Sequence, residues 1–182
     1  LLRLAARLAL RASPALAELS LKLQRRGTGA ETPLGAEQLT AVKPGDLLLL
    51  DGRNAGGDPV DLVVFWLGAD HSIRQVYPGD ERESPRLAAG QRMRRLGLRI
   101  DPGSEGTERL LVLAAPMRRG QEASDFRFLE QAPLARLRHA ADSDLQALFD
   151  ACFADYAARG DAAPALPAER LALQLFTFQV GP

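Results

Sequence analysis

The chain is poor in the residues that build metal centres and covalent cross-links. One cysteine in 182 residues excludes a disulfide framework, and two histidines leave too few ligands for a zinc cluster. Net charge is absent too. Twenty-three basic residues balance 23 acidic ones, which argues against a general binder of nucleic acid. Lysine is scarce: only Lys22 and Lys43 accompany the arginines. Arginines break every apolar run that could serve as a signal peptide or transmembrane span, so neither is predicted, and a cytoplasmic chain without membrane partners is expected. What is present is ordinary for a folded protein, 46% hydrophobic and 25% charged, enough for one domain with an appendage. The first residue is Leu1 rather than Met, which reads as a piece of a longer protein.

Hydrophobic spacing divides the chain into three parts. In residues 1–40, Leu1, Leu4, Leu8 and Ala12, then Leu16, Leu19 and Leu23, recur at three- and four-residue steps, predicting a helical lead-in over 1–26 with a break at Ser13-Pro14. Gly27 to Thr40 follows as linker or ordered loop. Residues 41–118 change to strands separated by turns: 46–50, 60–67, 72–77, 91–100 and 109–115. No helical period separates them, so a β-sandwich or small barrel is expected and parallel βαβ winding is not. Residues 119–182 form a tail. Leu145, Leu148, Phe149, Cys152, Phe153 and Tyr156 predict a helix capped by Ser143 and stopped by Gly160, and a shorter helix is expected from Pro133. A strand over 171–180 ends the tail. The expected class is α+β: an antiparallel β-sandwich with N-terminal helices and a C-terminal helix plus strand packed on it.

The middle part carries, in order, Val42-Lys43-Pro44-Gly45-Asp46, the strand Leu62–Leu67, Ile73–Pro78, Leu87–Gln91 and Gly106–Ala114. In these residues it resembles a bacterial family of domains of unknown function found C-terminal to caspase-like peptidase domains. The likeness covers about 75 residues. Its motifs are turns and strands without catalytic atoms, and Asp58-Pro59-Val60-Asp61 replaces the aromatic, glycine-flanked start usual for the central strand. The resemblance implies a β-sandwich accessory domain beside an upstream peptidase domain or chain.

Motifs that suggest catalysis have plainer explanations. Phe149-Asp150-Ala151-Cys152 copies the nucleophile segment of caspase-like peptidases, yet Cys152 falls on the apolar face of the predicted helix and lacks the small residues an oxyanion hole needs. Asp70, His71 and Ser72 are adjacent in a turn and cannot converge as a triad. Asp51, Asn54 and Asp58 imitate a calcium loop, but Arg53 occupies a ligand position.

The arginines are the stronger candidates for recognition. Arg92, Arg94, Arg95 and Arg99 crowd one strand region, and their parity conflicts with Leu96, Leu98 and Ile100, so a bulge or late strand start is expected. Arginine forks suit phosphate or carboxylate. With Trp66 and Tyr77 as aromatic wall, they form the candidate ligand site for a nucleotide-like anionic signal. The alternative is a solvated face paired with Asp80, Glu81 and Glu83. With the resemblance, the reading is a non-catalytic regulatory or sensor C-terminal region of a larger bacterial effector with a caspase-like peptidase domain, without cofactor or metal. The alternative is a structural or protein-binding domain of an envelope or signalling protein.

Overall fold

The computed structural model describes residues 16–35, 39–80, 82–117, 122–123, 126–133 and 172–181. Among the described residues the chain is β-structure, with one 3₁₀ turn at Arg127–Leu129. The strands are β1 (Ala17–Gln24), β2 (Glu31–Leu34), β3 (Thr40–Val42), β4 (Leu47–Asn54) and β5 (Val60–Leu67). After them come β6 (Ile73–Tyr77), β7 (Arg86–Leu87), β8 (Leu96–Arg99), β9 (Gly106–Pro116) and β10 (Ala172–Val180). The first sheet has the order β2-β1-β4-β8, all antiparallel. The second has the order β3-β10-β9-β5-β6, with β7 also against β5. Its one parallel pairing joins β3 to β10.

Alternation along the strands puts the core between the sheets. Leu21, Leu23, Leu48, Leu50 and Leu96 of the first sheet bury against Leu62, Val64, Leu110, Val112, Phe176 and Phe178 of the second. Each such side chain contributes about 1.5–3 kcal/mol when fully removed from water. Two sheets sharing one core are compatible with a β-sandwich. The central strand β5 is buried along its whole length because its other face is covered as well. Val63, Phe65, Leu111 and Leu113 form a second cluster there, joined by Phe126 and Leu129.

The α+β expectation is corrected, because the described residues contain two sheets and no α-helix. Its N-terminal helix fails at β1, which pairs with β4 along its length. The physical reason lies in an overlap of periods. Leu16, Leu19 and Leu23 satisfy helical spacing, but Leu19, Leu21 and Leu23 alternate with Ser20 and Lys22 at the strand period. The sheet wins because it buries Leu21 and Leu23 to 2% exposure each. The predicted linker over 27–40 likewise contains β2 and the start of β3. The helices predicted over residues 1–15 and 143–160, with Cys152, and the one beginning at Pro133 fall outside the described residues. The strand expected over 171–180 is β10.

The arginine-rich region shows a bulge. Arg92 pairs with Arg53 and Leu96 with Leu50, so residues 93–95 stand opposite 51 and 52 alone. The extra residue shifts parity and lets Met93 and Leu96 point inward while Arg94 and Arg95 remain exposed.

Candidate functional site

The six residues predicted to bind a ligand do not converge. Arg95 lies on the outer face of the first sheet, where its Nε donates to both carboxylate oxygens of Asp51 at 3.2 and 3.0 Å, and its Nη1 is 3.6 Å from Glu31. Arg94 donates to Glu83 at 3.1 Å, the partner assigned to it in the solvated-face alternative. Arg92 and Arg99 are exposed on and beside β8. Trp66 and Tyr77 face the core instead. The Trp66 ring stands 5.9 Å from that of Phe178, and the Tyr77 hydroxyl donates to the Ser84 carbonyl at 3.3 Å.

A different place in the fold gathers polar groups. The turn 68–72 between β5 and β6, the loop 101–105 between β8 and β9, and residues 130–133 wall a cleft of about 1210 Å3. Each wall has a local cause. In the first, Gly68 and Ser72 close the hairpin with a 2.9 Å backbone bond, and Asp70 Oδ1 accepts from the Ser72 amide at 3.0 Å and its hydroxyl at 2.6 Å. The Ser72 hydroxyl is the main reason the Asp70 carboxyl is held below its ordinary range. His71 occupies the left-handed region at φ 66°, with its carbonyl accepting from Gln131 Nε2 at 3.0 Å. Ser72 is thus bonded to Asp70, consistent with turn chemistry instead of a triad.

The third wall covers the β6 edge. Gln131 and Ile73 exchange two backbone bonds of 2.8 and 2.9 Å, and the Glu130 carboxylate accepts from the Gln75 amide at 3.0 Å. Glu130 thereby supplies the oxygen that another strand would offer, a device that blunts an open edge.

The floor is Glu108, only 3% exposed at the start of β9. It shares its parity with Leu110, Val112 and Ala114, so the backbone directs a carboxyl into the end of the core. Burial raises its affinity for a proton, opposed by bonds from the Trp66 indole, the Ser104 hydroxyl and the Ala69 amide, while the nearby Asp70 charge raises it further. The net shift is upward. Its Oε2 has no hydrogen-bond partner. Next along the chain, Arg109 faces the other way, half-buried, with its Nε unpartnered and its charged form disfavoured by burial.

No family model and no curated protein matches this chain. The cleft was missed by sequence reasoning, although one signal was visible: an acid occupying the inward parity of an apolar strand, Glu108 before Leu110, Val112 and Ala114. The imitation calcium loop dissolves in three directions. Asp51 pairs with Arg95, and Asn54 is fully buried, donating from Nδ2 to the Asp58, Leu87 and Ala88 carbonyls at 2.8, 3.1 and 3.1 Å. Asp58 contributes that carbonyl from an exposed turn. Among the described residues, no group of three His, Cys, Asp or Glu is placed to hold a metal, and no helix is long and apolar enough to cross a membrane.

Proposed function

We propose that this chain is a non-catalytic recognition module, the regulatory or sensor part of a larger bacterial protein, with the cleft over Glu108 as its binding site. The observation that carries this reading is the convergence of three separate segments on one cleft with a buried carboxyl in its wall. Clefts of this kind, formed by loops on a rigid sheet scaffold, are where binding residues concentrate. The likeness to β-sandwich domains attached to caspase-like peptidases supports a cytoplasmic effector context with a peptidase domain or chain as partner. Recognition is assigned to the cleft and not to the arginines, because Arg94 and Arg95 are each engaged by carboxylates.

The test is thermal unfolding of the full chain against a panel of agmatine, arginine amide, AMP and inorganic phosphate. At least one member should raise Tm in a concentration-dependent way, and Ser104→Trp, which fills the cleft from its rim, should abolish the rise. A flat response to the whole panel, or a rise that survives Ser104→Trp, overturns the reading.

A further inference from the structure

We infer that the group recognised in this cleft is an organic cation, a guanidinium or ammonium, that completes the hydrogen bonding of Glu108. The inference rests on the recognition reading above and names its ligand class.

Charge is the first reason. Asp70, Asp101, Glu105, Glu108 and Glu130 contribute carboxyl groups to the cleft, against Arg74 and the imidazole of His71. A concave surface with this excess attracts cations and repels phosphates. The second reason is independent of the acidic count. Glu108 is 97% removed from solvent by its 3% exposure, lies in the cleft wall, and keeps one oxygen without a donor. A buried carboxyl oxygen left unmatched costs free energy that a ligand N–H recovers. The Trp66 indole, the Ser104 hydroxyl and the Ala69 amide favour its charged form, but burial outweighs them, so the carboxylate lacks a compensating cation. A metal is disfavoured because no three ligating side chains are gathered among the described residues. A planar or tetrahedral N–H cation needs one buried carboxylate and an acidic surround. Ser104 and Glu108 line the cleft together.

Trp66 is the chain's one tryptophan and lines the cleft with Glu108, so its fluorescence reports the site directly. Agmatine titrated into the full chain should change that fluorescence saturably, and AMP should not. Glu108→Gln should weaken agmatine at least tenfold. Should that variant fold poorly, Asp101→Asn with Glu105→Gln, both exposed positions, should weaken it at least threefold with the fold intact. Agmatine affinity unchanged in these variants overturns the inference. A response to AMP alone also overturns it while leaving the cleft as a recognition site. Silence toward both probes overturns it too, and removes the recognition reading as well when arginine amide and inorganic phosphate also leave Tm unchanged.

Discussion

Asp46 Oδ2 lies 2.7 Å from Arg25 Nη1, and this pair fastens the β1–β2 turn to the entrance of β4. The same carboxylate accepts from the Arg26 amide at 3.0 Å and the Lys43 amide at 2.9 Å, with only 3% of the residue exposed. Asp46→Ala leaves those donors unmatched and should cost about 2–3 kcal/mol, read as a lower urea midpoint. Burial opposes ionisation here, but the two amides and Arg25 outweigh it and hold the carboxyl below its ordinary range. The carboxylate's contribution is therefore complete above pH 3.8, the unfolded value, and fades as the pH falls through the lower folded one. The difference between wild type and Asp46→Asn should shrink on acidification.

Glu108 carries the opposite sign. Burial raises its folded pKa above 4.5, so the unfolded chain gives up this proton first as pH rises. The stability contributed by neutral Glu108 is complete below pH 4.5 and is lost as pH climbs through the folded value. Glu108→Gln should be close to wild type in acid and gain on it toward neutrality. Urea midpoints at pH 4 and pH 7 check this; a wild type that gains on the variant with rising pH contradicts it.

Asn54 organises two loops from one buried amide. Besides its three carbonyl acceptors, its Oδ1 takes the Gly56 amide at 2.8 Å. Asn54→Ala should cost about 2–4 kcal/mol, because several buried polar groups lose partners together. Chemical denaturation measures the loss, and a cost under about 1 kcal/mol would show that water substitutes for the side chain.

The Glu130 contact is weaker and local. Glu130→Ala should leave the urea midpoint nearly unchanged while speeding hydrogen exchange at the Gln75 amide about five- to tenfold, since one hydrogen bond of about 1 kcal/mol is removed from an edge. Unchanged exchange at Gln75 would mean the edge is protected by something other than this carboxylate.

Much of the sheet structure was legible because it rests on local pattern. Val60–Leu67 read as a buried strand from a run that is apolar apart from Asp61, and the parity conflict at Arg92–Ile100 pointed to a bulge or a late strand start, of which the bulge places Arg94 and Arg95 outside. Residues 17–24 misled because leucines at 16, 19, 21 and 23 satisfy two periods, and only the partner strand β4 decides between them. The cleft was illegible for a related reason. Asp70, Ser104 and Glu130 come from loops far apart in sequence, and nothing local shows that β5, β8, β9 and the 126–133 segment bring them to one rim. The arginine cluster, dense in sequence, is divided between partners, Arg94 with Glu83 and Arg95 with Asp51 and Glu31.

The position of β10 has a consequence for how the molecule assembles. It inserts between β3 and β9, with Val42 beside Val180 and Leu111 beside Leu175. A nascent chain on the ribosome therefore holds β9 with one flank unpaired, and the cavity meant for Phe176 and Phe178 empty, until Ala172–Val180 has left the exit tunnel. Closure of this sheet is a late, non-local event, limited by the search for a partner more than 100 residues away from β3, and folding should be slow for the chain's size.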